Sequence, residues 1–112
     1  MKETTIRKRL SAFFNKNGEM KMSLNNVLYN LQKLSEGKKT HCLSWTYNSG
    51  KYKLIGNEIE DRIRLILVSL NIDFEMGNDA PRKGADGSYI EVTKPSQKRK
   101  LKQVVSLLKQ MN

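Results

Sequence analysis

Clustered lysine and arginine side chains are the residues of this sequence whose chemistry points most directly to a ligand. The chain has 21 Lys and Arg against 11 Asp and Glu, a net charge of +10. An excess of this size attracts polyanions, and these side chains bind phosphate oxygens. We therefore predict a non-catalytic protein that binds DNA or RNA mainly through the phosphate backbone. The predicted contact residues are Arg7, Lys8, Arg9, Lys51, Lys53, Arg82, Lys83, Lys98, Arg99 and Lys102.

The basic residues lie mainly at the two ends of the sequence. Residues 1–40 hold nine basic and three acidic side chains, residues 41–80 hold four and six, and residues 81–112 hold eight and two. The two ends either converge into one positive face or act as separate arms on a long polyanion. The sequence is compatible with both arrangements.

The last predicted helix concentrates lysines beside its apolar face. At about 100° per residue, Lys98, Lys102 and Lys109 fall within a strip about 40° wide, and Arg99 lies farther round. These side chains can meet one phosphate backbone together. The alternative is an ordinary solvated face of an amphipathic helix.

Aromatic and basic residues alternate between His41 and Leu54. Trp45, Tyr47 and Tyr52 are interleaved with Lys51 and Lys53, a mixture that can stack bases and hold a strand's backbone. Alternation places Trp45 and Tyr47 with Leu43, which favours a role in the core, and it points the two lysines to the opposite face. If helices cover only one face of the sheet, we expect the other face to be open and basic.

Carboxylates between residues 73 and 91 raise the alternative of a Mg²⁺-dependent nuclease, because grouped carboxylates bind Mg²⁺ for phosphodiester hydrolysis. The segment Glu91-Val92-Thr93-Lys94 is similar to the Asp/Glu-x-Lys strand of restriction-type nucleases. It departs from that pattern by one residue, which places Glu91 and Lys94 on opposite faces of a strand. We predict surface ion pairs here and no enzyme. The acidic residues are Asp73, Glu75, Asp79, Asp86 and Glu91.

The loop from Gly77 to Gly87 is longer than a hairpin needs, and long loops are often functional. Its run Asn78-Asp79-Ala80-Pro81-Arg82, followed by Gly84, Gly87 and Tyr89, resembles a loop in small uncharacterised proteins of bacteriophages and mobile elements. The resemblance implies such an origin and motivates a second functional hypothesis. In that hypothesis the chain is an inhibitor or adaptor that binds a host protein, such as a nucleic-acid-processing defence enzyme.

Cysteine and histidine are too few for several kinds of site. The single Cys42 cannot form an internal disulfide, and the single His41 cannot complete a zinc site that needs about four ligands. Being adjacent, the two side chains lie on opposite sides of a strand and cannot activate one another. We predict no metal and no cofactor. The absence of a signal-peptide apolar stretch and of a long apolar run predicts a cytoplasmic protein without a membrane span.

Apolar spacing predicts four helices. The first follows Thr4 or Thr5, the second runs from Ser23 to a stop at Gly37, the third runs from Asn57 to Leu70, and the fourth follows Pro95 and Ser96. Their apolar stripes are Ile6, Leu10, Phe13 and Phe14; Leu24, Val27, Leu28, Leu31 and Leu34; Ile59, Ile63, Ile66, Leu67 and Leu70; and Leu101, Val104, Val105, Leu108 and Met111.

The third helix also carries Leu65 and Val68 on its opposite side, so it is apolar nearly all round. A helix of this kind is either central or part of a subunit interface, and the pattern favours central burial. The chain is then a monomer or a homodimer, and the sequence leaves this choice open.

Period-two alternation predicts two β-hairpins, one from His41 to Leu54 and one that joins residues 72–76 to Ile90 and Val92. The predicted order is ααββαββα in one domain, residues 1–112, with a helical hairpin over 1–36 and a ββαββα portion over 41–112. We expect an α+β fold with a four-stranded antiparallel sheet and helices mainly on one face. This order resembles one half of a LAGLIDADG homing endonuclease, although only Glu36-Gly37 stands where that family's helix motif would end.

Overall fold

The computed structural model confirms the predicted α+β class, with helices and short antiparallel strands. It describes residues 1–41, 47–48, 53–54, 56–79 and 88–111, and side chains at 1–41, 60–79 and 88–111. The helices are α1 (Glu3–Arg9), α2 (Met22–Ser35), α3 (Gly56–Ser69) and α4 (Pro95–Met111). The strands are β1 (Thr40–His41), β2 (Tyr47–Asn48), β3 (Lys53–Leu54), β4 (Glu75–Asn78) and β5 (Ser88–Glu91).

The N-terminal apolar stripe is buried, as predicted. Helix α1 begins at Glu3, two to three residues before the expected start, and a 3₁₀ turn over Ser11–Phe13 follows it. The chain then reverses in a tight turn, where Asn15 Oδ1 accepts hydrogen bonds from the backbone N–H groups of Asn17 and Glu19. The residues that α1 and the turn place in the core are Ile6, Leu10, Phe13 and Phe14.

Helix α2 ends at a glycine in the left-handed conformation. Gly37 has φ +80°, and the backbone N–H of Lys38 donates to the carbonyl of Lys33 at 3.0 Å. The N–H of Gly37 donates to Leu34 at 3.1 Å. This pair of bonds is the Schellman ending that a glycine at this position favours, so the predicted stop is confirmed.

Helix α3 has one buried face and one exposed face. Ile63, Ile66 and Leu67 are buried, whereas Leu65 and Val68 are 52% and 62% exposed. The prediction of central burial is therefore wrong, because the core contacts only the stripe that the 3.6-residue period defines.

The main sheet has three antiparallel strands in the order β1-β5-β4. Thr40 pairs with Ile90, and Met76 pairs with Ile90 from the other side. Within the described residues, the predicted four-stranded sheet and the order ααββαββα are not found, since the main sheet has three strands and three strands precede α3. The alternation from His41 to Leu54 divides between two sheets, because β1 pairs with β5 while β2 and β3 form a separate two-stranded sheet.

The predicted hairpin from His41 to Leu54 is confirmed only in the antiparallel pairing of β2 with β3. Tyr47 pairs with Leu54, and Asn48 pairs with Lys53. Other residues named in the sequence predictions lie outside the described residues. They are Cys42, Leu43, Trp45, Lys51 and Tyr52, and residues 80–87 of the predicted loop.

Helix α4 packs against α2 in the antiparallel direction. Its N-terminal Lys98 contacts Gly37 at the end of α2, whereas Lys109 shares a depression with Gln32, one turn back along α2. The predicted apolar stripe of α4 is confirmed: Leu101, Val104, Val105 and Leu108 are buried, and Met111 packs against the same core. No helix in the described part of the chain is both long and apolar enough to cross a bilayer.

Candidate nucleic-acid interface

Three lysines line one side of α4, and we call Lys98, Lys102 and Lys109 the α4 lysine strip. Lys98 is half-buried, and Lys102 and Lys109 are exposed. Within the described residues, none of the three lies within 4.0 Å of a carboxylate oxygen. The strip therefore presents positive charge to solvent, and the helical geometry predicted from the sequence is what places its members together.

A shallow depression of about 290 Å³ lies beside the strip, between α2 and α4. Lys102 and Lys109 form part of its α4 wall, and Val105, which is almost fully buried, contributes an apolar surface. The α2 wall carries polar groups. The full lining is Gln32, Ser35, Glu36, Lys102, Val105, Ser106 and Lys109.

Glu36 places a carboxylate in this basic surrounding. Its Oε2 lies 3.0 Å from Lys38 Nζ, and its Oε1 accepts a hydrogen bond of 3.4 Å from Gln32 Nε2. The hydrogen bond from Lys38 is the main cause that lowers the pKa of Glu36 below its usual value, and Gln32 and the charge of Lys102 act in the same direction. Glu36 is therefore ionised at neutral pH.

Lys98 lies at the C-terminal end of α2. Its Nζ is 3.1 Å from the position that a Cβ on Gly37 would occupy. A helix carries partial negative charge at its C-terminus, so an ammonium group here is favourable. Lys38 lies at the same end of α2, where Glu36 is its ion-pair partner. Lys33 has its Nζ 5.8 Å from the centroid of the Tyr29 ring.

The guanidinium group of Arg7 has its contacts within the N-terminal region. Its Nε donates to Glu3 Oε1 at 3.3 Å, Nη1 donates to the carbonyl of Gly18, and the guanidinium lies 5.2 Å from the centroid of the Phe14 ring. These contacts join α1 to the turn after it. The neighbouring Lys8 and Arg9 are exposed.

The remaining predicted contact residues do not add to the strip. Arg99 is exposed on α4. Lys51, Arg82 and Lys83 lie outside the described residues, and only the backbone of Lys53 is described. Of the predicted contact residues, Lys98 and Lys102 therefore lie together on one side of α4, beside Lys109. The predicted contacts do not include Lys109, Lys38 and Gln32. The helical strip on α4 signals Lys109, the group of lysines at 33, 38 and 39 signals Lys38, and no sequence pattern signals Gln32.

The second face of the three-stranded sheet is not basic in its described part, contrary to the expectation of an open basic face. It carries Glu75 and Glu91, which pair directly across β4 and β5, and Asp79. His41 Nε2 lies 3.0 Å from Asp79 Oδ1, and Lys39 Nζ lies 3.6 Å from Asp79 Oδ2. The three carboxylates outnumber the basic side chains of Lys39 and His41 here, so the face offers no strong attraction for phosphate.

The carboxylates of the nuclease hypothesis have other partners. Asp73 pairs with Lys94 at 3.0 Å, and Glu75 accepts a hydrogen bond of 3.4 Å from the hydroxyl of Thr93. Over residues 1–41, 60–79 and 88–111, no three His, Cys, Asp or Glu side chains form a group that would hold a metal ion. Asp86 lies outside the described residues. The nuclease hypothesis stays a prediction from the sequence.

No protein-family model matches this chain, and neither the curated proteins nor the solved structures show a significant match to it. The function is therefore inferred from the geometry and charge of the site itself. The resemblance of the Gly77 to Tyr89 segment to proteins of bacteriophages and mobile elements stays a prediction.

Proposed function

We propose that this protein is a non-catalytic nucleic-acid-binding protein whose interface is the α4 lysine strip together with Lys38 at the end of α2. The observation that carries the proposal is the strip itself. Lys98, Lys102 and Lys109 lie on one side of one helix, and in the described structure none of them has a carboxylate at ion-pair distance. Unneutralised cations in a row suit the repeating phosphates of a polynucleotide.

The length of the strip matches this ligand. Lys98 and Lys109 are eleven residues apart, which is about 16 Å along a helix at about 1.5 Å per residue. One nucleic-acid strand carries a phosphate about every 3.4 Å of helix axis, so the strip reaches several successive phosphates. Contacts of this kind hold the backbone and contribute little direct reading of base sequence.

A salt titration tests the proposal. Fluorescence anisotropy with labelled DNA and RNA of mixed sequence, at several salt concentrations, gives the slope of log K against log salt. Each phosphate contact contributes about 0.9 to this slope on duplex DNA and about 0.7 on a single strand. We expect Lys102→Gln and Lys109→Gln each to reduce the slope by about one contact.

Lys100 provides the matched control on the same helix. Its Nζ points away from the strip and donates to the carbonyl of Asn71 at 3.3 Å. Lys100→Gln removes the same charge, so a general effect of net charge would reduce the slope equally in all three variants. Absence of binding to every nucleic acid at low salt, or equal slopes in the Lys102, Lys109 and Lys100 variants, would contradict the proposal.

A second candidate function, an adaptor or inhibitor that binds another protein, is favoured by the outer face of α3. Leu65 and Val68 are exposed there. Beside Val68 lies a depression of about 590 Å³ whose wall includes Phe74, with the carboxylates of Asp73 and Glu75 at its edge. Exposed apolar surface next to polar groups is typical of protein interaction sites.

A pull-down from a nuclease-treated bacterial lysate separates the two functions, because a partner held through nucleic acid is lost on treatment. We expect any direct protein partner to be retained by the wild type and released by Leu65→Ser with Val68→Ser. Tyr29→Ser is the control, since Tyr29 is 71% exposed on α2. A partner retained equally by all variants does not use this face of α3.

A further inference from the structure

The Glu36 carboxylate is unexpected in a surface that binds only phosphate. It is ionised and lies in the same depression as Lys102 and Lys109. A phosphate placed against this wall would be repelled by the carboxylate, which weakens the attraction of the lysines. A group that donates a hydrogen bond would instead be favoured at this position.

The depression offers a mixed set of polar and apolar groups. Each oxygen of Glu36 has one partner, Lys38 for Oε2 and Gln32 for Oε1. A carboxylate has about four acceptor positions, so Glu36 can accept a further hydrogen bond. Ser106 and the Gln32 amide add further donors and acceptors, and Val105 adds an apolar surface. The Ser35 hydroxyl donates to the Gln32 carbonyl at 2.6 Å and is occupied.

We infer that this depression receives one base of a single-stranded nucleic acid, and that Glu36 accepts a hydrogen bond from the exocyclic amino group of that base. The inference rests on the proposed function, because the lysine strip must hold the backbone beside the depression. Unpaired bases of a single strand are free to turn toward a protein surface and expose their pairing edges. A duplex base must first leave its stack, at a cost of about a few kcal/mol.

The chemistry of Glu36 selects among the bases. Adenine, cytosine and guanine carry an exocyclic amino group, which donates to a carboxylate. Thymine and uracil have no exocyclic amino group; at C4, where cytosine has its amino group, they have a carbonyl oxygen, which an ionised carboxylate repels. The depression should therefore favour amino-bearing bases over thymine and uracil, while the lysines remain indifferent to sequence.

Competition between short labelled oligonucleotides tests this inference. The probes are oligocytidylate, oligothymidylate, oligo-N4,N4-dimethylcytidylate and a mixed-sequence duplex, each about ten nucleotides long. We expect oligocytidylate to bind about three- to tenfold more tightly than oligothymidylate, the net gain of one ordinary hydrogen bond at a solvent-exposed site. Dimethylation removes both amino hydrogens and should reduce the affinity to that of oligothymidylate.

Glu36→Gln should reduce the preference for oligocytidylate without weakening overall binding, because the lysines are retained and Lys38 loses its ion-pair partner. Glu19→Gln is the charge-matched control, since Glu19 is exposed in the turn before α2, and this variant should keep the preference. Equal affinity for oligocytidylate and oligothymidylate, or tighter binding of the duplex, would overturn this inference and leave the proposed function standing. No binding of any probe at low salt would overturn both.

Discussion

Lys98 of α4 lies against Gly37, the residue that ends α2, with its Nζ 3.1 Å from the position of a Cβ on that glycine. The contact joins the two helices that form the proposed interface. Because Gly37 lacks a side chain, the ammonium group of Lys98 lies close to the last turn of α2, where the carbonyl ends carry partial negative charge. The glycine therefore contributes to the position of the lysine strip as well as to the end of the helix.

Gly37→Ala should lower the free energy of unfolding by about 1–2 kcal/mol. Its φ of +80° is strained for any residue with a Cβ, and the new methyl group would displace Lys98. Urea unfolding followed by circular dichroism measures the change. Gly37→Asn should cost less, because asparagine tolerates the left-handed conformation.

A double variant separates the two causes of this loss. In a Lys98→Ala background, Gly37→Ala retains the backbone strain and loses the crowding, so its cost should fall. Equal costs in both backgrounds would show that the contact with Lys98 has no energetic effect, and an unchanged stability in Gly37→Ala itself would contradict the assigned backbone conformation.

Arg7 should act on stability. Its guanidinium contacts Glu3, the Gly18 carbonyl and the Phe14 ring, and loss of a charged hydrogen bond with a cation–π contact costs about 1–2 kcal/mol. We expect Arg7→Ala to lower the thermal midpoint. Arg7→Lys should recover little of it, because an ammonium group lacks the fork that bridges these partners.

Lys8 and Arg9 are the controls for Arg7, since both are exposed on the same helix. Their alanine variants should change stability by no more than about 0.5 kcal/mol. If all three variants lose equal stability, the cause is a general loss of helix α1 and the specific role of Arg7 is wrong.

The helices could be predicted from the sequence because their signals are local. Apolar residues every three or four positions placed Leu101, Val105 and Leu108 in the core, and the glycine after α2 marked its end. The same helical geometry also predicted that Lys98 and Lys102 share one side of α4. Each of these inferences needs only one segment of the chain.

The sheet and the neighbours of the lysine strip could not be predicted, because they depend on packing between distant segments. Thr40 pairs with Ile90, fifty residues later, whereas the alternating pattern from His41 favoured a local hairpin. The position of Glu36 beside Lys102 likewise follows from the antiparallel packing of α2 on α4. A period reports which face of a segment is buried, and it carries no information about the partner segment.

Gly77→Ala should disturb the exposed face of the sheet. Gly77 pairs with Tyr89, and a Cβ at this position would lie 2.5 Å from the Tyr89 hydroxyl oxygen and 2.6 Å from Cζ. The ring must then move away from Lys39, whose Nζ lies 4.4 Å from the ring centroid. We expect a loss of about 1 kcal/mol, the size of a cation–π contact.

A Tyr89→Ala background tests whether the Tyr89 ring is the cause of this loss of stability. Without the ring, an added methyl group at residue 77 meets no such obstacle, so Gly77→Ala should be nearly neutral there. An equal loss in both backgrounds, measured by urea unfolding, would assign the effect to the backbone of β4 and not to Tyr89.

The pair between Asp79 and His41 should make stability depend on acidic pH. The hydrogen bond from His41 is the main cause that holds the pKa of Asp79 below its usual 3.8, with the charges of His41 and Lys39 acting in the same direction. A carboxylate with a lower pKa in the folded state stabilises that state above the unfolded pKa, and this contribution is lost as the pH falls through the folded pKa. Asp79→Asn should therefore be less stable than the wild type at about pH 6. The difference in stability between Asp79→Asn and the wild type should shrink below about pH 4. In a His41→Ala background, most of this difference should be absent at about pH 6 as well. A difference between Asp79→Asn and the wild type that stays constant from neutral to acidic pH would show that the charge of Asp79 does not contribute to folding.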